Sequence, residues 1–382
     1  MRLEGPNVES YINRLNNEDK EPFRTAYETY KENISDTEVK STINRRLHRR
    51  RKHVDLVVAV ASGFSTETDS VGDDSRFIFH STDPLRYISP SGADVLLARR
   101  ERRRIHLCAV ICEVGDERID EWIENVNSSR QLFTDEENLE RISEQLGFPD
   151  RTISEVQHIL LSRKTDLKGV PKSDIADRVS PEKFAIWSAE TTGESKICHE
   201  YGERIHRDLR EIAEDCFDWA FSGENPIKYT LSTHELIPLK EVIFGLIRAK
   251  KTIRNDPEPL EFNKDEFRDR YEKHLQIGCE DEQKESLVRE ATAGIFELAE
   301  QIGIFSSTDT NTVRDYRVMF SGSSEDPFDA QNSAEEKYIN VAKEVRRTTL
   351  AHQRAGAEFD SLQHGLDEWV PDQPDGTRSG VE

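Results

Sequence analysis

The chain is poor in cysteine, in lysine and in long apolar runs, and each shortage excludes something. Its 382 residues include five cysteines, Cys108, Cys112, Cys198, Cys216 and Cys279. None stands in a C-x-x-C pair and the count is odd. The pattern is that of reduced thiols, with neither a zinc nor a disulfide framework evident. No apolar run reaches the roughly 18 residues that a membrane-spanning helix needs. The first residues, Met1-Arg-Leu-Glu-Gly-Pro6, have no apolar signal region, so cytoplasm is the expected compartment. A Gly-rich phosphate loop, a G-x-S-x-G elbow and an H-E-x-x-H helix are all missing. Nucleotide-driven and common hydrolase classes therefore have no support.

Lysine is scarce beside arginine, 18 against 35. Acidic residues outnumber basic ones 75 to 53, for a formal net charge of −22, and hydrophobic residues make up 35%. That length and composition allow two or three domains with adequate cores. The balance resembles that of proteins from salt-in halophilic archaea, where net charge keeps a chain soluble while molar salt strengthens apolar association. In molar salt the counterion-release contribution to DNA binding is small. A negative chain can then still bind DNA, through short-range arginine contacts.

Hydrophobic spacing predicts a helix over residues 8–32 and a second from Ser35, where Ser35 and Glu38 form a capping-box pattern. Val54–Ala61 reads as a buried strand and Phe77–Phe79 as a short one. Gly92–Ala98 and Ile105–Gly115 read as a hairpin with the charged tip Arg99–Arg104. Helices over 117–133 and 135–146 follow, then strands at Val156–Ser162 and Lys183–Trp187. This order predicts an α/β fold, a mixed sheet flanked by helices. A long helix over 205–220 leads into a mainly helical part. There Pro238 opens one helix, Asn263 and Glu266 cap another, and a third runs over 285–302. Ile304-Phe305 and Tyr316–Phe320 form a small ribbon. Three helices and a ribbon resemble a winged helix-turn-helix. The expected domains are an N-terminal helix (1–35), the α/β domain (36–199), a connecting helix (200–235), the winged-helix-like domain (236–320), and a linker, helix and disordered tail (321–382).

Asp94 and Glu113 occupy mirror positions of the hairpin. A turn centred near Arg103 puts them opposite or nearly opposite, with Cβ atoms roughly 5 Å apart. Two carboxylates held that way can grip a hard cation such as Mg²⁺. With the surrounding helix, hairpin, helix and strand, they resemble the PD-(D/E)XK superfamily, the restriction-endonuclease-like fold. Asp94 matches the family's Asp and Glu113 its Glu. Gly115 stands where the Lys belongs, Pro90 lies four residues ahead of Asp94, and no lysine occurs from His53 to Arg163. Arg130, one turn after Val126, is the best substitute. The resemblance implies that Asp94 and Glu113 bind Mg²⁺, with the Val114 carbonyl as a third ligand and Glu38 as an extra acidic one, and that metal-bound water attacks a phosphodiester. The alternative is that Glu113 pairs with a hairpin arginine and Asp94 caps a turn.

Two basic runs stand out: Arg45, Arg46, Arg49, Arg50, Arg51 and Lys52, and the tip residues Arg99, Arg100, Arg102, Arg103 and Arg104. They read either as contacts to a nucleic-acid backbone or as solvated, ion-paired faces. The presumed recognition helix exposes Arg289 and Thr292 but also Glu290, Glu297 and Glu300, which repel phosphate. His106, Cys108 and Cys112 share one strand face without a fourth metal ligand. Cys198, His199 and His206 lack metal-ligand spacing. Three functions follow: a Mg²⁺-dependent DNA endonuclease, a DNA-binding or regulatory protein with an inactive nuclease core, and a scaffold whose helical C-terminal half forms a homodimer or docks a protein.

Overall fold

The computed structural model describes residues 6–65, 76–82, 92–115, 119–145, 152–179, 182–190, 195–202, 204–219, 226–231, 233–251, 260–275, 281–308, 315–318 and 326–359. Among them are eleven helices and ten strands. By mutual contact they divide into two units, one drawn from 6–48, 235–270 and 291–359, the other from 49–234 and 271–290.

Three helices open the chain: α1 (Val8–Arg14), α2 (Asn17–Asn33) and α3 (Asp36–Gly63). The expected helix over 8–32 breaks at Leu15, and α2 restarts after Asn16. Ser35 caps α3 as its sequence indicates, its Oγ accepting the Glu38 N–H at 3.2 Å. The expected strand Val54–Ala61 is instead the second half of α3. No glycine or proline lies between Ser35 and Gly63 to stop that helix. Leu56, Val57, Val60 and Phe64 bury themselves on one face of the large sheet. Apolar runs read alike in a buried strand and a buried helix.

The sheet has seven strands in sequential order: β1 (Ile78–Thr82), β2 (Val95–Glu101), β3 (Arg104–Glu113), β4 (Thr152–Arg163), β5 (Phe184–Ala189), β6 (Lys196–Tyr201) and β7 (Phe217–Asp218). β1, β2 and β3 form an antiparallel meander, β3, β4 and β5 are parallel, and β6 and β7 return antiparallel. The parallel crossovers carry α4 (Ile119–Thr134), α5 (Glu136–Gln145) and α6 (Lys172–Arg178), followed after β6 by α7 (Arg207–Glu214). Side chains from α3 and α7 fill the face made by Val95, Leu97, Cys108, Val110, Leu161 and Trp187. Those from α4 and α6 fill the other, against Ile111, Leu160 and Ile186. The sheet is therefore the middle layer of three.

The sequence reading missed α6, β6 and β7. The connecting helix ends at Glu214, because Cys216 takes a left-handed backbone (φ 56°) and Phe217 turns into the sheet core. Cys198 and Cys216 form a disulfide, which overturns the expectation of reduced thiols throughout. Cys108 and Cys112 are buried free thiols. Cys279, Pro90 and the tail 371–382 lie outside the described residues.

The other unit holds α8 (Leu236–Lys251), β8 (Glu261–Asn263), α9 (Lys264–Glu272), α10 (Asp281–Gln301), β9 (Phe305–Thr308), β10 (Asp315–Val318) and α11 (Pro327–Phe359), although 271–290 count with the sheet unit. Asn263 and Glu266 form the reciprocal cap that their spacing indicates, at 2.8 and 3.2 Å. The ribbon gains a third strand and pairs in the order β8-β10-β9. Phe262, Phe267, Phe296, Phe305 and Tyr316 make its aromatic core.

Candidate functional site

The hairpin closes through Glu101 opposite Arg104, so the turn is Arg102-Arg103, and Val95 faces Val110. The Asp94 N–H also donates to the Val110 carbonyl, at 2.9 Å. Two successive residues of the first arm thus address one residue of the second, as in a β-bulge, and the side-chain alternation breaks there. Asp94 turns to the α3 face. Its Oδ1 lies 3.1 Å from His53 Nε2, its Oδ2 accepts the Cys112 N–H at 2.7 Å, and only 4% of it is exposed. Glu113 goes the other way, accepting from Asn125 Nδ2 of α4 at 2.5 Å. The two acids share one end of adjoining strands, but helices on opposite faces of the sheet engage them. They are engaged from opposite faces rather than lying opposite one another on one face, as the sequence reading expects. Among the described residues no group of three or more His, Cys, Asp or Glu side chains is gathered to hold a metal ion.

Of the supporting residues, Glu38 and Arg130 have partners elsewhere, while Val114, expected to contribute its carbonyl, directly follows Glu113. Val114 packs its side chain into the core on the α3 side. Glu38 pairs with Arg354 of α11, fifteen residues before His53 in the chain. Arg130 acts on His158, which lies across from Ala109, four residues back along β3 from Glu113. Burial lowers the His158 pKa to about 4, and the Arg130 charge contributes in the same direction.

Gly115, where the family pattern has lysine, takes φ +91° as the chain leaves β3. A lysine there would be strained, because side chains with a Cβ rarely adopt that backbone. Its N–H donates to Asp166 Oδ2 at 3.0 Å. Lys164 lies in the turn that follows β4, two residues past Ser162, the partner of Glu113. Lys164 Nζ lies 3.4 Å from Glu190 Oε2. The lysine-free stretch of sequence ends at Arg163, one residue short of it.

The basic runs part company. Arg100, Arg102, Arg103 and Arg104 are exposed at the hairpin tip. Arg99 is not, being 8% exposed and held by Asp208 at 2.6 Å, Glu101 at 2.9 Å and the His206 ring at 3.0 Å. It ties the hairpin to α7 and is withdrawn from any phosphate. Eight residues of strand separate Asp94 from Arg102, about 26 Å, so the tip is remote from the acids. The α3 run lies close to them: Arg49, Arg50, Arg51 and Lys52 lead directly into His53. Arg45 and Arg51 are exposed, Arg46, Arg49, Arg50 and Lys52 half-buried, and Arg51 pairs with Asp55 at 3.1 Å.

On α10, Glu285, Arg289, Glu290 and Glu300 are exposed, whereas Thr292, expected on that surface, is buried. His106 reaches Glu101 and Glu155, at 3.4 and 3.6 Å. His199 bonds the Gly202 carbonyl at 2.6 Å and His206 caps α7. No helix of the described residues is long and apolar enough to cross a membrane. Compared with protein-family models, curated proteins and solved structures, the chain matches none.

Proposed function

We propose that this chain is a DNA-associated protein that holds the sugar-phosphate backbone at the α3 end of its seven-stranded sheet. One observation carries the reading. Arg49, Arg50 and Lys52 adjoin His53, whose ring is bonded to Asp94, so a basic run and both strand-end carboxylates share one end of the sheet. Arginine forks suit phosphate oxygens. The exposed tip is a second basic point about 26 Å away.

The topology supports a nuclease-like core. A helix precedes an antiparallel meander, a helical crossover and a parallel strand, with Asp94 before the second strand and Glu113 ending the third. Three helices with a β8-β10-β9 ribbon support a winged-helix-like module. The acidic face of α10 suits a homodimer or protein contact better than a DNA groove.

Separate engagement of Asp94 and Glu113 favours binding without cleavage. A second reading is Mg²⁺-dependent hydrolysis, with Lys164, two residues past the Ser162 that pairs with Glu113, as the nearest lysine in the chain. It requires both carboxylates to leave His53 and Asn125. The test incubates the protein with plasmid and single-stranded DNA in molar KCl, with and without Mg²⁺. Binding that falls in Arg49→Ala/Arg50→Ala/Lys52→Ala, without strand scission, is the expected result. Scission lost in Glu113→Gln and in Lys164→Ala establishes the hydrolytic reading instead. Failure to bind at any salt leaves the scaffold.

A further inference from the structure

β7 is two residues long and closes one edge of the seven-stranded sheet. A strand that short adds little pairing of its own. Its ladder to β6 sets Lys196 opposite Asp218 and Ile197 opposite Phe217, and one step further along both segments Cys198 is joined to Cys216. The bond therefore staples the edge strand across its ladder. Both cysteines are half-buried, whereas the free thiols Cys108 and Cys112 are enclosed in the core. Cys216 holds a left-handed backbone, φ 56°, and Ser195, just before β6, holds another, φ 51°. Side chains with a Cβ disfavour that region, so the junction of α7 and β7 is kept against its local preference. Other contacts guide the segment to its seat. The Phe217 ring lies 5.4 Å from Phe64 and 6.0 Å from Trp187. Trp219 donates its backbone N–H to the Ser195 carbonyl at 3.0 Å and its indole N–H to the Glu190 carbonyl at 3.3 Å. Disulfides that are exposed or strained are the labile and regulatory ones.

We propose that the Cys198–Cys216 bond is a reversible redox latch on the sheet edge, opened in the folded chain by a dithiol reductant. A thiolate of the dithiol attacks one of the two sulfur atoms, the S–S bond breaks, and the other cysteine leaves as a thiolate that takes up a proton. The second thiol then attacks the mixed disulfide, frees the first cysteine and closes the reductant's own disulfide. Two electrons and two protons pass from the dithiol to the protein. With the staple open, Cys216 relaxes from its left-handed backbone and the segment 215–219 lifts from β6, uncovering the seat of Phe217 against Phe64 and Trp187. The six longer strands, paired through their own ladders, stay in place. The device is independent of DNA association.

The test reduces the native chain with dithiothreitol, without denaturant, and blocks the new thiols with iodoacetamide. Peptide masses locate them, and hydrogen exchange is followed in parallel. A latch predicts labelling of Cys198 and Cys216 while the buried Cys108 and Cys112 stay unlabelled. It also predicts amide exchange at least about tenfold faster over 216–219, with β2 to β5 unchanged, and both effects reversed by oxidised dithiothreitol. Labelling that needs urea, or that takes in Cys108 and Cys112 as well, makes the bond a structural one opened by unfolding and overturns the proposal. So does exchange over 216–219 that is equal in the oxidised and reduced chain. Cys198→Ser/Cys216→Ser is the second check. Its exchange over 216–219 is expected at the reduced level and indifferent to dithiothreitol, and exchange at the oxidised level contradicts the latch. Reduction of the native chain needs no substitution, so a poorly folding variant leaves the first comparison decisive.

Discussion

Single side chains carry the sharpest consequences. Asp94→Ala leaves the Cys112 N–H buried without its acceptor, which costs about 1–3 kcal/mol. Urea unfolding measures it, and an unchanged midpoint would mean that the bond is absent. His158 makes stability depend on pH. Its folded pKa, about 4, lies below the ordinary value of 6.5 because of burial. Between those values the unfolded chain binds a proton that the folded chain refuses, so stability falls as pH drops through that window. His158→Gln should flatten that part of the stability–pH curve. Arg102 has φ +27° in the hairpin turn, where a Cβ costs roughly 1 kcal/mol. Arg102→Gly is expected to raise stability by about that much. A gain in stability with a loss of DNA affinity would show that the strain serves the tip's charge.

At the scale of elements, Arg99 separates the two uses of the tip. Breaking the pairing of buried Arg99 with the partly exposed Asp208 and Glu101 by Arg99→Gln should cost about 1–2 kcal/mol, whereas Arg103→Gln on the surface should stay within about 0.5 kcal/mol. The Cys198–Cys216 disulfide closes a segment of 18 residues. Reduction should lower the unfolding free energy by about 3 kcal/mol through loop-closure entropy; no change on adding reductant would contradict the bond. Local chemistry was legible where it is local: the caps at Ser35 and at Asn263 with Glu266, and the hairpin with its turn at Arg102-Arg103. What the sequence hid depends on distant partners. Nothing in Val54–Ala61 says that a sheet will cover it as a helix. The bulge at Asp94 shifts one side chain to the other face, and no periodicity registers a single extra residue. Arg99 looks like its exposed neighbours until α7 folds over it.

For the whole molecule, charge sets the behaviour. A net charge of −22 repels itself at low ionic strength, and salt screens that repulsion. The melting temperature should therefore climb as KCl rises from about 0.1 M toward molar concentrations, and a flat profile would contradict the halophilic reading. The proposed DNA association would have to overcome the same field, which confines it to the places where arginines cluster. The α3 end of the sheet is the place where such a cluster adjoins His53 and, through it, Asp94. The most direct measurement is the affinity for a short duplex, by anisotropy at two KCl concentrations, of the native chain against Arg49→Ala/Arg50→Ala/Lys52→Ala. Backbone binding at α3 predicts a loss of at least about tenfold with a shallower salt dependence. An unchanged affinity at both salts would contradict it.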